Sequence, residues 1–121
     1  MRRGLWHSLA ILNIQQIIQP QELPNAVATQ YETPASTVTA IRRIALFNSS
    51  GSDATFTVHI VPNASTVGND NMFYKTVTLA TLATTTLPEL EGQILEAGDT
   101  IQMFASAANA ITVIGSATEV S

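Results

Sequence analysis

The sequence contains no cysteine, only one lysine and one tryptophan, two histidines, and a charged fraction of 12%. Each shortage excludes something. Without cysteine there is no disulfide framework, no thiolate zinc site and no thiol nucleophile. A charged fraction about half the ~25% usual for soluble domains leaves Thr, Ser, Asn and Gln to hydrate the surface. Such a surface is tolerable where much of it is covered by neighbours in an assembly. Five bases against nine acids, for a net charge of −4, give no electrostatic footprint for a phosphate backbone, so nucleic acid is excluded as a partner. No stretch approaches the ~20 consecutive apolar residues of a membrane-spanning helix, which excludes a membrane partner.

What is present is a chain of 121 residues, 45% of them hydrophobic, enough for one core and one sandwich-sized domain. The charge is uneven. Residues 1–50 carry Arg2, Arg3, Arg42 and Arg43 against Glu22 and Glu32, whereas residues 51–121 carry Lys75 against seven acids. The opening, Met1-Arg2-Arg3 followed by Gly4 to Leu12, imitates a secretory signal with Ala26-Val27-Ala28 as a nominal cleavage site, but His7, Asn13, Gln15 and Gln16 interrupt its apolar run and no cleavage is expected.

Residues 1–25 differ in kind from the rest. Leu5, Trp6, Leu9 and Leu12 recur at helical spacing, while Ile11, Ile14 and Ile18 allow a strand, and Pro20 and Pro24 read as a linker. The segment reads as an N-terminal arm ahead of a domain over residues 26–121. So much apolar surface at a terminus must dock, either on its own domain or on a neighbouring subunit's sheet edge. Arg2, Arg3, Leu5, Trp6, Leu9 and Leu12, with Arg42 and Arg43, are the candidate interface residues.

From residue 26 the chain breaks into short β-type runs between turn clusters, the pattern of an all-β fold: a single antiparallel β-sandwich, jelly-roll or Ig-like, of about eight short strands. Strands are expected over 27–32, 38–47, 54–61, 73–79, 84–87, 94–106 with a tight turn at Gly98, and 110–117. In the second of these Ile41 and Ile44 flank Arg42-Arg43. Both isoleucines can point inward only if a bulge or twist falls at the arginines, or if both faces are buried. Asn48 to Asp53 is a turn by composition and is expected to close a hairpin. In 54–61, Phe56, Val58 and Ile60 share one face, and Thr55, Thr57 and His59 the other.

Nothing in the sequence assembles a catalytic or cofactor site. His7 and His59 are far apart, lack carboxylates at ligand spacing and read as surface histidines. Glu89 and Glu91 read as a solvated face rather than an acid/base pair. No serine stands in a nucleophile elbow and no glycine pattern suits a phosphate. No enzyme, metal or cofactor is expected. The loop 62–71 is the place for any ligand, and Asn69, Asp70 and Asn71 are its candidate contacts for a carbohydrate or receptor, although Asn/Asp clusters are mostly turn formers.

The succession Tyr31-Glu32-Thr33-Pro34-Ala35-Ser36-Thr37, Ile44-Ala45-Leu46-Phe47-Asn48, Phe56 to Pro62, Leu95-Glu96-Ala97-Gly98-Asp99-Thr100-Ile101 and Ala110-Ile111-Thr112-Val113 resembles the small β-sandwich virion proteins of tailed bacteriophages over about residues 27–120. The resemblance implies a non-enzymatic structural component of the virion: a capsid decoration (cement) protein, or else a tail, neck or fibre component. It implies self-association, as a trimer, contact with the major capsid protein or another virion protein, and assembly onto the particle in the host cytoplasm.

Overall fold

The computed structural model describes residues 11–121. Nine strands form two antiparallel sheets: β1 (Leu12–Glu22), β2 (Ala28–Glu32), β3 (Val38–Asn48), β4 (Ala54–Val61), β5 (Met72–Leu79), β6 (Thr84–Thr86), β7 (Ile94–Leu95), β8 (Thr100–Ala105) and β9 (Ile111–Val120). Single 3-10 turns at Asn69–Asn71 and Pro88–Leu90 are the helical residues among those described. No helix is long and apolar enough to cross a membrane among the described residues.

The first sheet runs β1-β9-β3-β6, with β7 beside β6 on β3, and the second runs β2-β8-β4-β5. Sequence neighbours hold equal places in the two orders: β1 with β2, β9 with β8, β3 with β4, β6 with β5. The chain therefore crosses between sheets at every connection except β4–β5 and β6–β7, which is the connectivity of a jelly roll. Of the two expected sandwich types this is the jelly-roll one. It also corrects the turn at Asn48 to Asp53, which closes no hairpin but carries the chain from the first sheet to the second. Asn48 is buried and fully bonded there: its amide group donates to the carbonyls of Ser52 (3.0 Å) and Leu79 (2.9 Å), and its oxygen accepts from the Ser50 amide and hydroxyl.

The core lies between the sheets. Ile41, Ile44, Leu46, Ile111 and Val113 from the first meet Phe56, Val58, Ile101 and Met103 from the second. A β-bulge between Ile41 and Arg43 lets both isoleucines face inward while the arginines stay exposed, as their spacing requires. Below them, Gly98 sits at φ +87° in the turn between β7 and β8, a conformation glycine adopts freely. Its amide donates to the Thr33 carbonyl at 3.0 Å.

The expected arm boundary at residue 25 does not match the structure. From Leu12 the chain is the edge strand of the first sheet, paired with β9 from Leu12↔Val120 to Glu22↔Thr112, and Ile18 and Leu23 belong to the core. Pro20 lies within this strand, where an edge position tolerates its missing N–H. Arg2, Arg3, Leu5, Trp6, Leu9 and His7 lie outside the described residues.

Candidate interaction surface

The outer face of the first sheet follows from strict alternation in β9: Ile111, Val113, Gly115, Ala117 and Glu119 are buried, so Thr112, Ile114, Ser116, Thr118 and Val120 point outward. Residues opposite one another in an antiparallel pair share a face. Registry then builds two apolar rungs across neighbouring strands. One is Leu12↔Val120↔Val38; the next is Ile14↔Thr118↔Ala40↔Ile94. Leu12 and Ile14 are 67% and 72% exposed, and Val38 and Ile94 are exposed too. Farther along, Ile114 lies opposite Ala45, and Phe47 opposite Thr84.

The charged side chains that registry places on this face are Arg43, opposite Ser116, and Glu22, opposite Thr112 at its far end. Arg43 has a partner. Its guanidinium lies 3.9 Å from the Glu91 carboxylate, both well hydrated, so the pair adds little stability. Beside it, the bulges in β1 and β3 open a mostly apolar groove of about 230 Å³ lined by Gln16, Arg43, Ala45, Ile114, Gly115 and Ser116. The structure thus brings together Leu12 and Arg43, two of the expected interface residues, on one sheet. The rest of the face was missed in the sequence, although Ile114 among Thr112, Ser116 and Thr118 was its visible sign.

The loop 62–71 is built differently from a ligand loop. Asn71 is buried: its oxygen accepts from His59 Nδ1–H (2.8 Å) and from the Gly68 amide (3.1 Å), while its amide group donates to the Thr66 carbonyl (2.9 Å). His59 is itself buried, 5% exposed, which corrects its reading as a surface histidine. It locks the loop to β4. Asn69 and Asp70 remain exposed. Tyr31, Phe73 and Tyr74 make no shared platform, since Tyr31 is buried between the sheets, and Phe73 and Tyr74 are successive residues of β5 facing opposite sides.

Two tyrosines tie layers together. The Tyr31 hydroxyl, from the second sheet, donates to the buried Glu119 carboxylate of β9 and lies 2.8 Å from Thr39 Oγ1 of β3. Burial first, then the bond to Glu119, pushes its pKa up to about 12. Tyr74 donates to Glu89 and accepts from the Glu89 amide. Burial and that carboxylate push Tyr74 up to about 12, and the same bond holds Glu89 below its usual value. Glu89 thus anchors the Pro88–Leu90 turn, and Glu91 faces Arg43. No group of three or more His, Cys, Asp or Glu able to hold a metal occurs among the described residues.

No protein-family model matches the chain, and no curated protein matches it in sequence. Solved structures do match in fold. A protein of Bacillus endospore appendages, described as a novel family of disulfide-linked pili, superposes with a TM-score of 0.55 at 12% identity, covering 93% of this chain and 89% of its own. Two capsid structures of infectious bursal disease virus, from the Gx strain and from the T13 particle, give TM-scores of 0.54 and 0.52 at 6% and 5% identity. They cover 93% and 92% of this chain, which spans about a third of those chains (32% and 30%). The jelly roll is therefore a fold shared with a pilus protein and with viral capsid proteins. Since this chain has no cysteine, disulfides cannot link its copies.

Proposed function

We propose that the chain is a non-enzymatic structural subunit of a virus particle, in its most specific form a bacteriophage capsid decoration protein. It docks on the major capsid protein, associates with copies of itself as a trimer, and is added to the particle in the host cytoplasm. The observation that carries this reading is the outer face of the first sheet: two mostly apolar rungs spanning three and four strands, with Arg43 and, at the far end, Glu22 as the charges registry places there. Contiguous exposed apolar surface on a small domain marks a contact with another protein. The shared capsid and pilus fold is consistent with it, and among the described residues no metal-holding cluster of His, Cys, Asp or Glu competes for the role.

The test is co-sedimentation of the purified protein with particles from which it has been stripped, comparing the native chain with Ile94→Lys. Saturable binding that the substitution abolishes supports the reading; a native chain that never binds particles overturns it. A second reading, a fibre or filament subunit, is favoured by one observation, the near whole-chain match in length to the pilus protein. Filaments of concentrated pure protein seen by electron microscopy would select it. For the carbohydrate- or receptor-binding alternative the loop offers only Asn69 and Asp70, because Asn71 is used up in holding it.

A further inference from the structure

Leu82 meets two penalties at one residue. It is 69% exposed and has φ +62°, a left-handed conformation in which Cβ crowds the backbone. It is the third residue of the turn Ala80 to Ala83, closed by the Ala83 amide on the Ala80 carbonyl at 3.0 Å, and a left-handed third position normally goes to glycine or asparagine. Five non-glycine residues among those described have positive φ, and the other four are Ser36, Ala64, Thr76 and Asn109. Only here does the strain hold a large apolar side chain in water. Strain that its surroundings keep in place points to function, and this turn is well kept: the Leu82 amide donates to the Asn48 carbonyl at 2.7 Å, and the Thr81 amide to the Asp53 carboxylate at 3.1 Å. The result is a fixed apolar knob at the end of the first sheet, just before β6.

We infer that Leu82 of one copy seats in the groove that Arg43 and Ile114 line on the next copy. This rests on the reading of the chain as an assembly subunit and names the contact through which copies join. Size fits: an apolar cavity of about 150 Å³ holds benzene, so the groove, at about 230 Å³, takes a leucine side chain. Charge fits as well. Asp53 is the only charged residue in the loops 49–53 and 80–83 that build the knob, and it is exposed. Arg43, at the groove, is next to Arg42, and the two are all but one of the bases in residues 11–121; against them stands Glu91, 3.9 Å from Arg43. An acid beside the knob and paired arginines beside the groove orient the encounter. The groove must be a neighbour's. The chain's own groove begins at Ala45, about 10 Å along β3 from Asn48, and the bond to the Asn48 carbonyl holds Leu82 away from it. Because the turn is already fixed, the knob loses little freedom on docking. Knob and groove are different patches, so the contact is head-to-tail and closes into a ring, as in a trimer, or opens into a filament.

Separate donor and acceptor patches allow a test by complementation on the full-length chain. Leu82→Gly removes the knob and relieves the strained φ, and Ser116→Phe fills the groove from the outer face. If Ser116→Phe does not fold, Ala45→Leu fills the groove in its place. Light scattering should give an oligomer for the native chain and, at the same concentration, the 12.9 kDa single chain for each variant alone. Circular dichroism should be unchanged, and the thermal midpoint of Leu82→Gly should be no lower than native. An equimolar mixture of the two variants should recover a one-to-one pair of twice the single-chain mass, since Leu82→Gly keeps an open groove and Ser116→Phe keeps a knob. A mixture that stays single overturns the inference, as does a Leu82→Gly chain that associates like the native one, and both leave the assembly reading standing. A native chain that is monomeric yet binds particles does the same, and one that neither associates nor binds particles sinks both.

Discussion

Gly115 of β9 faces Ile18 of β1 so closely that a Cβ on the glycine would stand 3.2 Å from Ile18 Cδ1 and 3.4 Å from its Cβ and Cγ1. This is where the first strand is seated, because Ile18 is buried in the core while most of β1 is exposed. Gly115→Ala asks Ile18 to give by a few tenths of an ångström and gains strand propensity, so its net effect should be small. Gly115→Val overpacks the seat and should cost about 1–3 kcal/mol. Ile18→Ala leaves a cavity and should cost about 2–5 kcal/mol. Chemical denaturation measures all three, and amide exchange in β1 should rise first in Gly115→Val.

The seat also shows why the first strand was not legible in the sequence. Its apolar residues fit helix and strand equally, two prolines imitate a linker, and among the described residues of the stretch Ile18 and Leu23 are fully buried in the core, with Ile17 packed partly against it. A pattern read from side-chain periodicity needs several buried positions, and this edge strand offers too few. Where a face is mostly buried the pattern was sharp: β4 begins and ends where its alternation places it, and the bulge at Arg42-Arg43 is one of the alternatives that two isoleucines three residues apart left open. Glu119 stayed hidden because its partner Tyr31 lies 88 residues away, whereas Asn48 and Asn71 bond mostly within their own turns and were legible as turn formers but not as buried anchors, the latter for His59. The outer-face rungs were hidden for the reason that hid Glu119, since Leu12, Val120 and Val38 meet only through registry.

Tyr31 and Glu119 give an alkaline limit to stability. The folded state keeps the Tyr31 phenol protonated up to about pH 12, against an ordinary 10. Its pKa is raised on folding, so the contribution is intact below pH 10 and is lost as pH rises toward 12. Tyr74 adds in the same direction, discounted for its greater exposure. Thermal midpoints should hold to near pH 10 and then fall. Tyr31→Phe should flatten that fall, and at neutral pH it should cost roughly 1–3 kcal/mol by leaving a buried carboxylate without its donor. A midpoint equally pH-dependent in native and Tyr31→Phe protein would contradict the assignment.

At the β7–β8 turn two penalties can be separated. A Cβ on Gly98 would lie 2.5 Å from Asn63 Cγ, and the residue has φ +87°. Gly98→Ala should therefore destabilise through both a clash and a backbone penalty of about 1–2 kcal/mol. Adding Asn63→Gly removes the clashing side chain and should recover part of the loss, leaving the backbone share. The Asn63 backbone amide keeps its 2.9 Å bond to the Asp99 carboxylate in either case. A double-mutant cycle with no coupling would show that Asn63 is not the obstacle.

Loop 62–71 distinguishes scaffold from ligand contact by its neighbouring asparagines. Asn71→Ala removes the acceptor for His59 and Gly68 and the donor to Thr66, and should cost about 1–3 kcal/mol. Asn69→Ala and Asp70→Ala change exposed side chains and should stay within about 0.5 kcal/mol. A glycan array with native and Asn69→Ala, Asp70→Ala protein tests the loop as a binding site; with Asn71 excluded from contact, no specific binding is expected.

Association between copies should persist in salt. The outer face of the first sheet offers the side chains of Leu12, Ile14, Val38 and Ile94, none of which is an ion pair, and its charges are Glu22 and Arg43, the latter with its partner Glu91 already solvent-screened. At a few hundred millimolar salt the screening length is only about 5 Å, so contacts held by separated charges would weaken. Apolar and hydrogen-bonded contacts would not, although the rate of encounter steered by Asp53 and Arg43 would fall. Light scattering across a salt series should therefore give a constant mass with slower approach to equilibrium after dilution. A mass that drops to the single chain at that ionic strength would mean that ion pairs, not the apolar outer face, hold the copies together.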